Sequence, residues 1–350
     1  MTCVAVALAA TAPSAGSGSD SATIRLRPTS SVSVPKTTDE VVADGNRAAA
    51  LDYCAIRLWR PGFTKTALVK PCIPPASIEG STSLDAVALA GDRLVWIRDE
   101  TESHGEYVDS QLVVKTGSRK PYEVVSSSAD VFANSGDQLV SLAGSGNTVA
   151  FGWTYNNGDF INPVQKERIF LLVRASDPRA APCPSFGSSA DRLCVDAGVD
   201  DSVVDSAAAG RVLLSFGDGA VEVVEPDGSA RILHIPYAAS KDDLALLGSE
   251  LVVIRASGNA AVYDASTGAQ LQTWPIVRAT GLRRLTVGGG YALFRMHGFQ
   301  LLKLSTGREL TLVAPTGKPP TDASVTSTGV FFLYRVGRRL RLGFVPFARL

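Results

Sequence analysis

DSAAAGRVLLSFGDGAVEVVEPDGSARILHIP (205–236), LALLGSELVVIRASGNAAVYDASTGAQLQTWP (244–275) and RLTVGGGYALFRMHGFQLLKLSTGRELTLVAP (284–315) repeat one plan of strand, turn, strand, turn, strand. Their first-turn glycines, Gly219, Gly258 and Gly298, lie 39 and 40 residues apart, and their second-turn glycines, Gly228, Gly268 and Gly307, lie 40 and 39 apart. The closing prolines Pro236, Pro275 and Pro315 keep the same interval. A period of about 40 residues with this content is the signature of a β-propeller blade.

Working outward, LDAVALAGDRLVWIRD and QLVVKTGSRKPYEVV give a blade near 84–125, and LVSLAGSGNTVAFGWTY with IFLLVRAS gives another near 139–200. VVADGNRAAALDYCAIRLWRPGFTKTALVKP compresses the pattern into 41–71. The last unit, 323–347, has material for about three strands, and an open sheet edge exposes unpaired backbone groups. The preceding N-terminal segment 22–35 is the natural donor of a closing strand, as propellers commonly use both chain ends to shut the ring. The expectation is therefore an all-β propeller of seven four-stranded blades, with eight or six as the alternatives, near 41–71, 84–125, 139–200, 203–236, 244–275, 284–315 and 323–347, in one domain over 22–350.

Within blades, RVLLSF and ELVVIR are nearly continuous apolar runs and AVEVVE and LLKLST alternate or fade toward solvent. The first pattern suits strands packed between neighbouring sheets. Trp59, Trp96, Trp153 and Trp274 are read as blade packing, since three of them end apolar strand runs.

Lys plus Arg and Asp plus Glu both number 34, so no global field draws the chain to nucleic acid or an anionic membrane. No segment after the N-terminus approaches the apolar length of a membrane span. Residues 1–21 carry the apolar run Val4 to Ala12 and read as a signal peptide or a disordered leader. Outside it lie four cysteines, an even number that suits two disulfides in an exported chain. Cys54 and Cys72 flank the turn at Phe63 symmetrically, placing their sulfurs across one hairpin, and Cys183 and Cys194 bracket a Pro/Gly/Ser-rich insertion. Without Cys-x-x-Cys spacing, and with only His104, His234 and His297 to assist, a zinc site is not expected.

No residue set declares catalysis. The three histidines have no identifiable nucleophile beside them, and Ala143-Gly144-Ser145-Gly146 sits in a strand turn, not before a helix. Gly288-Gly289-Gly290 separates two strands and is read as a turn, not a phosphate cradle. Asp196, Asp200, Asp201 and Asp205 form the densest acidic group, read as a solvated inter-blade turn. Asp99, Glu100, Glu102, Glu106 and Asp109 are read as part of an insertion loop, and Arg335, Arg338, Arg339 and Arg341 as a solvated edge strand.

Insertions at 100–110, 156–168 and 177–195 break the period. Binding residues concentrate on loops held by rigid scaffolds, so these should mark one working surface. The candidates in it are His104, Glu106, Tyr107, Tyr155, Asn156, Asn157 and Asp159.

The motifs Tyr263-Asp264-Ala265-Ser266-Thr267-Gly268, Leu304-Ser305-Thr306-Gly307 and Glu225-Pro226-Asp227-Gly228 resemble those of secreted bacterial β-propellers of the WD40-like or quinoprotein-like type. The Trp-Asp and Gly-His pairs of eukaryotic WD40 repeats, the sialidase box and a quinoprotein cofactor set are missing, so the resemblance lends fold more than function. The expected protein is an exported, monomeric, non-catalytic module that binds a protein, glycan or cell-envelope partner without a cofactor. The alternative is a propeller enzyme, a glycan hydrolase or lyase or a cofactor-dependent dehydrogenase, with its site in the central channel.

Overall fold

The computed structural model describes residues 22–72, 81–101, 107–130, 135–156, 165–173, 177–183, 192–200, 203–216, 220–238, 241–276 and 283–350. Among them the structure is all β apart from a 3₁₀ turn at Phe347–Arg349, and no helix is long and apolar enough to cross a membrane.

The chain opens with β1 (Ala22–Arg25) and β2 (Ser30–Val34), then forms a four-stranded antiparallel meander, β3 (Glu40–Asp44), β4 (Arg47–Leu51), β5 (Ile56–Trp59) and β6 (Ala67–Lys70). A nine-stranded sheet follows: β7 (Ser81–Ala90), β8 (Arg93–Thr101), β9 (Tyr107–Thr116), β10 (Tyr122–Asp130), β11 (Ser135–Ser145), β12 (Thr148–Asn156), β13 (Gln165–Leu172), β14 (Ala181–Pro182) and β15 (Arg192–Asp200). Two further meanders are β16 (Val203–Ala208) to β17 (Arg211–Ser215), β18 (Val221–Val224) and β19 (Ala230–Leu233), and β20 (Asp243–Leu247) to β21 (Glu250–Arg255), β22 (Asn259–Asp264) and β23 (Gln270–Pro275). The chain ends in β24 (Arg283–Gly288), β25 (Tyr291–Arg295), β26 (Phe299–Lys303) and β27 (Arg308–Val313), then β28 (Asp322–Val325), β29 (Gly329–Val336) and β30 (Arg339–Pro346).

The two N-terminal strands go to different sheets. Strand β2 pairs antiparallel with β30, from Ser30 opposite Phe344 to Val34 opposite Leu340, and completes the C-terminal sheet as its fourth strand. Strand β1 adds a fifth strand to the preceding sheet, parallel to β27. Leu26, fully buried just after β1, anchors that addition in the core between the last two sheets.

In place of seven separate four-stranded sheets, the described residues form six hydrogen-bonded sheets. Five stand apart with four or five strands, and the sixth is continuous through nine. The reason is local: Ala129 pairs with Gly136 and Asp130 with Ser135, so the ladder does not break between β10 and β11. The two halves of that sheet nevertheless pack face to face, with Val95, Ile97 and Val114 against Val149, Phe151 and Trp153.

Apolar pattern decides depth. Second strands such as β4 and β17 are sandwiched and almost wholly buried, while outer strands such as β19 and β23 expose most of their residues. Trp59, Trp96 and Trp153 are core residues, and Trp274 lies over Gly307, whose absent Cβ leaves room for the indole. Both disulfides form, Cys54 to Cys72 and Cys183 to Cys194. The second is more than a loop staple, since both its cysteines are buried in the core of the nine-stranded sheet.

Candidate functional site

The first strands of the units, β3, β7, β11, β16, β20, β24 and β28, follow one another around a central channel, and β28 returns to β3. They enclose a cavity of about 510 Å3. Small residues line it, among them Ala43, Ala88, Gly144, Ala207 and Gly288. Crowding explains their size, since a Cβ on Gly288 would stand 2.3 Å from the Thr326 carbonyl carbon. A strand facing a channel leaves backbone N–H groups without a ladder partner, and these must be satisfied otherwise. Side chains of the preceding strand do so: Val204 N–H donates to Ser141 Oγ at 3.3 Å, Leu246 N–H to Ser206 Oγ at 3.1 Å, Val325 N–H to Thr286 Oγ1 at 3.1 Å and Val41 N–H to Asp322 Oδ2 at 2.7 Å.

The channel has two unlike ends. At the end formed by the first hairpin turns, Asp44 Oδ2 accepts from the amides of Gly91 (2.8 Å) and Gly146 (3.1 Å). Both glycines have φ near +58°, where a side chain is strained. Arginines that open second strands clasp the neighbouring unit: Arg47 donates to Gly91 O, Arg93 to Asn147 O and Leu172 O, and Arg211 to Gly248 O, with Glu225 of its own unit holding Arg211 in place. Thr148 Oγ1 plays the same part by accepting from Gly210 N–H at 2.8 Å.

The opposite end is acidic. Near the head of each channel strand stands a carboxylate, Glu40, Asp85, Asp137, Asp205, Asp243 or Asp322, except in β24, which supplies Arg284. Arg284 has φ +62° at an irregularity in the β24–β25 register. Its guanidinium bridges Asp322 (2.9 Å), Glu40 (3.1 Å) and the Val41 carbonyl (2.6 Å), tying β24, β28 and β3 together. Burial pushes Asp322 up, with Arg284 opposing. Burial likewise raises Asp85, Asp99, Asp137 and Asp243.

Asp205 stands apart from these. It occupies the bulge between Val204 and Ser206 and meets the channel's water, yet protein walls surround it. That enclosure pushes its carboxyl up to about 6; the charge of Asp243 adds to the shift, and hydrogen bonds from Ser215 oppose it. Tyr237, beside it, is pushed up to about 12 by burial and by the charges of Asp205 and Asp243.

Of the sequence-derived candidates, Tyr107 opens β9 and is 42% exposed, and Tyr155 and Asn156 end β12. His104, Glu106, Asn157 and Asp159 lie outside the described residues. Antiparallel alternation puts the strand ends flanking 102–106 and 157–164 at the acidic end. The strand ends flanking 174–191 lie at the turn end, so the three insertions do not share one surface. The acidic group at 196–205 is not a single turn either. Asp196 and Asp200 belong to β15, where Asp196 pairs with Arg168 at 3.1 Å, and Asp205 lies on a channel strand; Asp201 is outside the described residues. Asp99 and Glu100 lie in β8 and Asp109 in β9, because these strands extend into the expected insertion. Asp52, Cys54 and Cys72 gather donor atoms within 4.8 Å, but the two sulfurs are spent on their bridge.

Arg284, Asp44, Asp243 and Tyr237 were not singled out by sequence reasoning. The usable signal was the acidic residue recurring at channel-strand heads, as in SLDAVA, VVDSAA, DDLALL and TDASV.

A ring of meanders closed by a strand from the other chain end is a β-propeller. The chain is similar to Raptor from Chaetomium thermophilum, with TM-score 0.52 and 10% identity over 91% of this chain and 29% of that one. It is similar to a chain in the crystal structure of the mitotic checkpoint complex, with TM-score 0.51 and 10% identity over 96% and 99%. The WD40 β-propeller domain of Doa1 aligns with TM-score 0.49 and 12% identity over 92% and 98%. No family model matches the chain, and no curated protein matches it. In fold the chain is a β-propeller.

Proposed function

We propose that this is an exported, non-catalytic propeller that binds a protein, glycan or cell-envelope partner at its acidic end. The nine-stranded sheet counts on this reading as two blades, giving seven in one domain over 22–350, with 1–21 as a leader. The face-to-face packing of its halves and the order of the channel strands support that count. Two disulfides support export, since such bonds persist in oxidising compartments. One observation carries the choice of face: the strand ends around 102–106 and 157–164, including exposed Tyr107, meet at the end of the ring where carboxylates are left as the working groups. Propeller folds commonly bind proteins through such loops on a rigid frame.

The test replaces 102–106 and 157–164 by two-residue turns and measures binding to a glycan array and to purified cell-wall polysaccharide and envelope proteins. Binding by the parent and its loss in the variant, at unchanged melting temperature, is expected. Binding that survives both replacements overturns the face.

Asp205 favours a second reading. A carboxyl raised toward neutrality beside another carboxylate is the arrangement of a glycan-cleaving acid. Turnover in a polysaccharide screen, abolished by Asp205→Asn, would establish that reading in place of the first.

A further inference from the structure

The zero net charge of the chain hides an uneven division around the ring. Residues 283–350, which carry β24 to β30, hold 11 Lys or Arg and 2 Asp or Glu, whereas residues 73–282 hold 15 and 27. Of the two acids in 283–350, Asp322 is bonded to Arg284 and Glu309 is buried. Several of the cations meet on one surface. Arg25 ends β1 opposite Val313, and its guanidinium stands beside Gly317, where a Cβ would lie 3.6 Å from Nη2. Lys318 follows directly, and Pro319 reaches Gly298 in the β25–β26 turn. Arg295 lies just before that turn, its guanidinium 5.5 Å from the centre of the Phe299 ring. Further along the same connection the Thr321 amide donates to the Leu333 carbonyl, two residues before Arg335. Arg335, Arg338 and Arg339 then surround the β29–β30 turn.

These side chains stand at the end of the ring that carries Asp322, since Arg295 pairs with Arg283 at the head of β24 and Leu333 with Asp322. Arg25, Arg295, Lys318, Arg335, Arg338 and Arg339 are all exposed, and none is hydrogen-bonded or ion-paired to an acid among the described residues. One sign of charge gathered on one face raises the local concentration of oppositely charged partners. All but one of these cations are arginines, whose planar fork matches carboxylate and phosphate groups. The neighbouring surface narrows the class of polyanion. Stacked bases need exposed aromatic rings, and those of the described residues, Tyr53, Phe63, Tyr107 and Tyr122, all lie outside β1 and 283–350. A bilayer needs an apolar face to enter, and the one large apolar side chain exposed in 283–350 is Val336.

We propose that this cationic rim binds an anionic polysaccharide, whose repeated carboxylates or phosphates lie across the seam between the last two units. The cations come from β1, from the connection into β28 and from the β29–β30 turn, so a chain of regularly spaced acids can engage several at once. Each such contact releases a counterion, and affinity then grows with the number of contacts rather than with the depth of a pocket. The proposal rests on the reading of an exported binding module only for the choice of a glycan as the polyanion. Its surface is separate from the strand ends around 102–106 and 157–164.

The test uses the full chain and measures its binding to polygalacturonate and to phosphomannan, with neutral dextran as the control, at about 50 and about 200 mM salt. The parent should bind at least one of the two anionic polymers and not dextran, with affinity falling steeply between the two salt concentrations; the preferred polymer tells carboxylate from phosphate. Arg335→Gln, Arg338→Gln and Arg339→Gln together should weaken binding by about tenfold or more at the lower salt and flatten its salt dependence. Melting temperature should stay unchanged, because all three positions are exposed. Replacing 102–106 and 157–164 should leave this binding intact, so the cationic rim and the loop face fail separately. Binding to neither anionic polymer, or binding that the three replacements do not weaken, overturns the proposal. So does tighter binding to duplex DNA or to phosphatidylglycerol vesicles. A concentration-dependent mass in sedimentation that the three replacements abolish would assign the rim to a second copy of the chain instead.

Discussion

At the turn end of the ring, Asp264 accepts from the amides and hydroxyls of Ser266 and Thr267 at 2.5–3.0 Å, and Asp227 from the amide and hydroxyl of Ser229. Side-chain hydrogen bonds hold Asp264 down to about 2 and Asp227 below the ordinary carboxylate range. At the opposite end Asp85, Asp137, Asp205, Asp243 and Asp322 all move upward, each with burial as the leading cause. The same side chain thus serves two purposes. Where donors abound, aspartate fixes a turn; where strand heads crowd around a channel, burial raises its carboxyl, even for Asp322, which also holds Arg284 and the Val41 amide. The difference separates the end that builds the ring from the end available to a partner.

The sharpest way to break this contrast is Asp322→Ala, which takes the acceptor from the Val41 amide and leaves Arg284 at the closing seam with Glu40 and the Val41 carbonyl alone. Removing one partner of a buried pair should cost about 3 kcal/mol in denaturant unfolding. Arg284→Ala combined with it should cost less than the sum of the single changes. A loss below about 1 kcal/mol would make the acidic end no more structural than a solvated surface pair. Asp44→Ala tests the turn end, where two glycine amides lose their acceptor. The expected loss is about 1 kcal/mol, since the Gly91 amide is half-buried and the Gly146 amide is open to water. An unchanged denaturation midpoint would show that water replaces Asp44 there.

Much of the frame was legible in the sequence because turns have strict backbone needs. Gly258, Gly268 and Gly307, which set the 40-residue period, all adopt positive φ. The alternation of apolar runs likewise separated sandwiched strands from outer ones, and the cysteine spacings matched both bridges. The site was less legible, because its contacts join residues far apart in the chain. Arg284 reaches the Val41 carbonyl across 243 residues, and no local pattern announces that meeting. Reading 196–205 as a solvated turn failed for a related reason. A run of aspartates looks alike whether it bends in water or passes from the outer strand β15 to the channel strand β16.

The contrast between the two ends can be read in a single pH series of 13Cγ-aspartate spectra on the full chain. Asp264 should titrate near 2, its stabilising contribution present above the ordinary 3.8 and lost as pH falls toward 2, while Asp205 should titrate near 6. Two groups of midpoints, sorted by the end of the ring on which each aspartate lies, are the predicted result. One cluster of midpoints near 4 for both ends would contradict the division of labour.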